Sequence, residues 1–174
     1  MNRRLALTIR ISGAVTLLAT SIMLAGCGEP ATGPDERSYA EDFTLELLGG
    51  GEATLSASRG RPVLVDFWAT WCMPCIKQVP MFNAVHAEFA DRVDVYAVAT
   101  DAQGAEAVAP FAEEHGIEYP VLLGSEALAQ DWGLIGFPTL FLIRPDGSIR
   151  EAHVGPISAD DLEEALHEML AEER

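Results

Sequence analysis

Cys72 and Cys75 stand two residues apart in "ATWCMPCIKQVP" (Ala69 to Pro80), and no other pair of side chains in the chain is as well placed to do chemistry. Thiols at this spacing serve as half of a metal site, as a structural cross-link, or as a redox couple that opens and closes. A structural zinc site needs four ligands, commonly from two such pairs, and this chain has one pair. His86, His115, His153 and His167 lie in distant segments and would have to converge to complete it, so each reads as a surface residue and no metal is expected. With three cysteines in all, one of them Cys27 near the N-terminus, a framework of several disulfides is excluded.

Placement favours redox use. "RPVLVDFWA" (Arg61 to Ala69) is a near-continuous apolar run rich in β-branched and aromatic residues, as a strand covered on both faces requires. A helix is predicted from Met73 to Ala90, with Ile76, Val79, Phe82, Val85 and Phe89 spaced by three or four and Pro80 inside it as a kink. Cys72 thus falls at a helix start, where unpaired N–H groups and the positive end of the dipole stabilise a thiolate. Lowering a thiol pKa from about 8.5 toward 7 raises the ionised fraction at neutral pH from a few per cent to roughly half. Cys72 is therefore the expected nucleophile, and Pro74, in the first turn, helps hold Cys75 close enough to resolve a mixed disulfide. Asp66 interrupts the apolar strand, and a carboxylate there is costly unless its pKa rises or it finds partners. It reads either as a working acid or as a carboxylate bonded to backbone or water.

The other elements frame this unit. "DFTLELL" (Asp42 to Leu48) and "EATLS" (Glu52 to Ser56) flank three glycines and make an N-terminal hairpin. "VDVYAVAT" (Val93 to Thr100) is a second buried strand, parallel to the first across the helix. Gly104 to His115 reads as a helix that either begins near Pro110 or is kinked by it, and "YPVLL" as a short strand. Ser125 caps a short helix to Leu134. "TLFLI" (Thr139 to Ile143) and "SIREAHV" (Ser148 to Val154) are antiparallel across the turn "RPDG". A last helix, capped by Ser158, buries Leu162, Leu166, Met169 and Leu170.

The N-terminus reads as an address. Arg3, Arg4 and Arg10 precede an apolar run from Ile11 to Ala25 that ends in "LAGC" (Leu24 to Cys27). That ending resembles the lipobox of bacterial lipoproteins, which implies cleavage after residue 26, a lipid on Cys27, a flexible linker over 27–40 and a folded domain over 41–174. An uncleaved membrane anchor is the alternative reading, and both place the domain outside the cytoplasm. Gly28, next to Cys27, is not the Asp that often retains lipoproteins at the inner membrane. Without its first 26 residues the chain keeps 8 basic against 27 acidic side chains, a net of about −19, so nucleic acid is not an expected partner.

"VDFWATWCMPC" and "GFPTLFLIRPDG" resemble the thioredoxins, and with the N-terminal tether the chain resembles the TlpA/ResA-like disulfide reductases over Asp42 to Arg174. The resemblance implies an α/β thioredoxin fold with an N-terminal β-hairpin, a central helix-strand insertion over Gly104 to Leu123, and a mixed sheet flanked by helices. It implies that Cys72 attacks a substrate disulfide, that Cys75 releases it, and that Asp66 takes the Cys75 proton. It implies a cis peptide bond before Pro138, facing the disulfide, with Trp71, Phe137 and Thr139 meeting the substrate and the Phe137 backbone pairing with an extended segment. No cofactor beyond the Cys72–Cys75 disulfide is implied. The implied partners are thiols and disulfides of exported proteins, among them apocytochrome c or an oxidase copper site, and a membrane relay that returns electrons. The Thr that precedes a peroxidatic cysteine by three residues in peroxiredoxins is not matched, since Thr70 is two before Cys72. Two rivals stay open: a disulfide oxidase or isomerase, and a copper-handling module using both thiolates.

Overall fold

The computed structural model describes residues 38–172. The signal peptide, the lipidated Cys27 and most of the linker expected from the sequence lie outside the described residues. Seven strands form one mixed sheet: β1 (Thr44–Leu47), β2 (Glu52–Thr54), β3 (Val63–Trp68), β4 (Asp94–Ala99), β5 (Val121–Leu123), β6 (Thr139–Ile143) and β7 (Ile149–Val154), in the spatial order β2-β1-β5-β4-β3-β6-β7. The helices are α1 (Met73–Phe89), α2 (Ala105–Glu114), α3 (Glu126–Asp131) and α4 (Ala159–Ala171).

β3 is central, parallel to β4 and antiparallel to β6, and all six of its residues are buried. That double coverage is why its sequence is continuously apolar rather than alternating. Its even-numbered residues Leu64 and Trp68 pack into a cluster with Cys72, Cys75, Phe82, Phe89, Tyr119 and α4, while Val63, Val65 and Phe67 face a second cluster with Leu55, Phe141 and Trp132. The expected helix-strand insertion is α2 and β5. β5 pairs parallel with β4 and antiparallel with β1, so it joins the hairpin to the rest of the sheet.

Several local expectations change. The second hairpin strand stops at Thr54, and Leu55–Ser58 form a 3-10 turn that buries Leu55. α2 runs through Pro110 from Ala105, so the helix does not begin at the proline; Pro110 is exposed on its outer side. On α1, Gln78 takes a buried place where Ile76 was expected, its Nε2 donating 2.9 Å to the Ile157 carbonyl, and Ile76 is half-buried. On α4, Ala165 is buried and Leu170 only half so. The "RPDG" turn closes as expected: Gly147 at φ +84° donates 2.7 Å to the Arg144 carbonyl, and Asp146 Oδ1 accepts from the Ser148 amide and hydroxyl. At the far edge Tyr39 bridges Ser148 and Ala40 is buried, so the packed chain is under way before Asp42.

Candidate active site

Cys72 is the N-cap residue of α1, and its Sγ accepts the Cys75 amide at 3.3 Å. A thiolate formed at Cys72 would meet the same amide and the positive end of a 17-residue helix, with no acidic side chain in the first turn to oppose it. Pro74 occupies the opening turn, where its missing N–H leaves no bond unmade. The two cysteines are joined as a disulfide with Cα atoms 5.3 Å apart. Both are largely covered, at 4% and 6% exposure, but they differ in outlook: Cys72 borders a surface groove of about 610 Å³, and Cys75 is not among the residues that line it. Cys72 is therefore the cysteine that the groove presents to an approaching disulfide.

The approach loop to Cys72 is held from the neighbouring strand. Asp101, buried just beyond β4, accepts 2.6 Å from the Thr70 hydroxyl and 3.1 Å from the Thr70 amide. The Thr100 hydroxyl and amide both donate to the Trp68 carbonyl. These bonds tie the β3–α1 turn to β4, a function that nothing in the sequence of Asp101 announces.

Asp66 lies at the middle of β3, opposite Ala97 on one side and Leu140 on the other. By strand alternation its side chain shares the face of Leu64 and Trp68, the face that packs against Cys75. It is 4% exposed, and its Oδ1 is buried without a hydrogen-bond partner. Burial pushes its carboxyl well above the usual value near 3.8. No backbone or side-chain group of the protein bonds Oδ1.

The Phe137–Pro138 peptide bond is cis. Phe137 stands edge-on to the Trp71 ring at 5.5 Å, and neither its amide nor its carbonyl has a backbone partner among the described residues. Pro138 is itself buried, and its carbonyl accepts the Gly155 amide. Thr139 corrects an expectation: it is buried, and its hydroxyl donates 2.7 Å to the Gly136 carbonyl. Its side chain shapes the loop from within and does not face a substrate.

The groove's other wall was not foreseen. α3 and the loop after it contribute Ala129, Gln130, Leu134 and Ile135, with Glu126 on the rim. Ile135 is 86% exposed, Trp71 67% and Met73 61%, three large apolar side chains standing in water around one sulfur. Such a concentration marks a binding surface. Ile135 lies in "GLIGFPT", where no periodicity can flag it. Ile135→Ser is expected to raise KM for a protein disulfide about 5- to 20-fold, the worth of about 1–2 kcal/mol of apolar burial, and to leave kcat near wild type. Steady-state kinetics against a protein and a small-molecule disulfide in parallel would check it, since the small substrate should be indifferent.

The AhpC/TSA family profile matches residues 37–152. Over 136 residues the chain is 33% identical to the thioredoxin-like protein YneN of Bacillus subtilis, covering 77% of this chain and 80% of that one. It is 32% identical over 131 residues to the thiol-disulfide oxidoreductase ResA of Geobacillus kaustophilus, covering 74% and 75% respectively. Among solved structures, the exposed lipoprotein thioredoxin Etrx1 of Streptococcus pneumoniae superposes with a TM-score of 0.63 at 28% identity, over 74% of this chain and 99% of that one.

Proposed function

The chain belongs to the AhpC/TSA family and, within the thioredoxin superfamily, to its TlpA/ResA-like thiol-disulfide oxidoreductases, and on that premise we propose that it works in the reducing direction, on disulfides of exported proteins. The observation that carries the reading is Asp66, a buried carboxyl with an unpartnered oxygen on the sheet face that packs against the resolving cysteine. A dithiol that donates electrons must deprotonate its second, covered thiol in each cycle, and a carboxyl whose pKa is raised by burial is matched to that transfer.

The geometry supports the following cycle. A substrate segment lies along the groove, pairing with the free backbone groups of Phe137 and packing on Trp71 and Ile135. The Cys72 thiolate attacks one sulfur of the substrate disulfide, and the other leaves as a thiolate. Asp66 takes the Cys75 proton; the Cys75 thiolate attacks Cys72 Sγ, closes the internal disulfide and expels the reduced substrate. An external dithiol then restores the pair.

The domain is further proposed to be held outside the cytoplasm by lipid on Cys27, to receive electrons from a membrane relay, and to serve thiols needed for haem attachment or for a copper site. The "LAGC" sequence supports the first of these, as does the naming of the similar pneumococcal protein as an exposed lipoprotein. The test is the equilibrium reduction potential of the Cys72–Cys75 pair against a thiol buffer, with free thiols counted by alkylation. A value near that of thioredoxin, about −270 mV, is expected. A value near that of strongly oxidising periplasmic enzymes, about −120 mV, would make the protein a disulfide donor or isomerase instead.

A further inference from the structure

If Asp66 accepts the Cys75 proton, as the reading above has it, that proton has to leave before the next cycle, and the substrate groove does not offer the exit. Neither Asp66 nor Cys75 lines that groove. A second cavity of about 460 Å³ lies further along α1, lined by the hairpin tip Leu47–Gly50, by His86 and Ala112, and by residues 117–121.

Tyr119 connects the two places. It lines this cavity and also belongs to the core cluster that contains Cys75. The sheet register sets Leu140, Asp66, Ala97 and Val121 side by side in one row. Tyr119 precedes Val121 by two, so it shares the face of Asp66, one row along the sheet beside Leu64 and Val95, with Val95 and Ala97 the β4 side chains on the face between them. The Phe82 ring packs on Tyr119 at 5.8 Å; Phe82 follows Cys75 by two helical turns, and His86 follows Phe82 by one. The charge of Asp66 is felt at the Tyr119 phenol, whose ionisation is pushed up first by burial and then by that carboxylate. In the cavity wall His86 Nδ1 is buried without a partner.

We propose that Tyr119 relays protons between Asp66 and the second cavity, which makes that cavity a proton port separate from the substrate groove. In the step itself Cys75–SH and Asp66–COO⁻ become Cys75–S⁻ and Asp66–COOH. The new thiolate forms the bond to Cys72 Sγ, and the substrate sulfur departs with the electron pair. Asp66 then passes its proton by way of a bridging water to the Tyr119 oxygen as the phenol's own proton moves into the cavity, and both side chains return to their starting forms. The other titratable groups nearby are the exposed Glu118 at the cavity wall and His115, whose ring lies 4.2 Å from that of Phe111. β4 and β6 offer this face only Val95, Ala97, Ala99, Leu140 and Leu142, and α4 offers Leu162, Ala165, Leu166 and Met169.

The test mixes the reduced full chain with a nitrobenzoate disulfide, whose coloured thiolate stays ionised at neutral pH, in weak buffer containing a pH-indicator dye. Colour reports each sulfur step and the dye reports the proton. In the wild type the proton should appear together with the second thiolate. In Tyr119→Phe, and in Ala112→Phe, which narrows the cavity from α2, the proton step should lag by about a hundredfold, the lower end of what a positioned proton carrier supplies. Added imidazole should restore the Tyr119→Phe rate. Proton release in step with the second thiolate in both variants would overturn the relay, and so would a lag that imidazole does not shorten, which would make the phenol a packing group. Asp66→Asn separates the two readings: if it too resolves and releases its proton at the wild-type rate, the assignment of Asp66 as base fails, whereas an impaired Asp66→Asn beside an unimpaired Tyr119→Phe removes the relay alone.

Discussion

Cys75→Ser should leave Cys72 fully reactive and stop the cycle at its midpoint, with the substrate protein covalently held on Cys72. Cys72 keeps its place at the N-cap of α1 and its border on the groove, so the first attack proceeds. Release then depends on an external thiol in solution. A positioned internal nucleophile acts as if at about 10⁵ M or more, far above any thiol buffer, so turnover should fall at least a thousandfold. Non-reducing electrophoresis or intact mass would show the adduct, and the same trap would pull out the natural substrate. Cys72→Ser should be as inactive yet form no adduct, because Cys75 does not reach the groove. An adduct of equal yield on Cys75 would reverse the assignment of nucleophile and resolving thiol.

Asp66→Asn should make the protein more stable and slower at the same time. In the folded chain the raised pKa keeps Asp66 protonated to a higher pH than in the unfolded chain. Between the unfolded value near 3.8 and the folded one, the native state holds a proton that the unfolded state has lost, so wild-type stability declines as pH rises through that window. Asparagine removes the decline. Its advantage should be on the order of 1–3 kcal/mol at alkaline pH, the typical cost of leaving a buried polar group unpaired, and should vanish toward pH 4. Denaturant titrations of both proteins across that range would show it. Resolution by Cys75 should meanwhile slow by about a hundredfold, the lower bound for general base catalysis. A variant that lost stability at all pH values would show that Asp66 is held by partners after all.

The catalytic unit was legible because its signals are local. A buried parallel strand has to be apolar throughout, a helix start has to follow it, and two cysteines within one turn have to be neighbours; Val63–Trp68 and Met73–Phe89 obey each rule. Asp66 stood out as the one charge that breaks such a run. The walls of the groove were not legible, because Ile135 gains its meaning from its distance to Cys72 in space and not in sequence. Asp101, Tyr119 and Ala97 were silent for the same reason: each acts across the sheet, on a neighbour set by strand register. Thr139 was misread since adjacency to Pro138 says nothing of which way a side chain turns, and its hydroxyl is spent on Gly136. Leu55 and Ser56 looked like strand because two or three residues carry too little periodicity to tell an extended segment from the start of a tight turn.

The bridge from Tyr39 to Ser148 fixes more than an edge of the sheet. Ile149 pairs with Ile143, and Ile143 with Val63, the first residue of β3, whereas Cys72 follows the last, Trp68. The chain therefore enters the domain at one end of β3 and reacts at the other, about 17 Å away at the usual rise per residue. A surface linkage made at residue 38, where the described chain begins, would therefore leave the mouth of the groove open to a protein substrate.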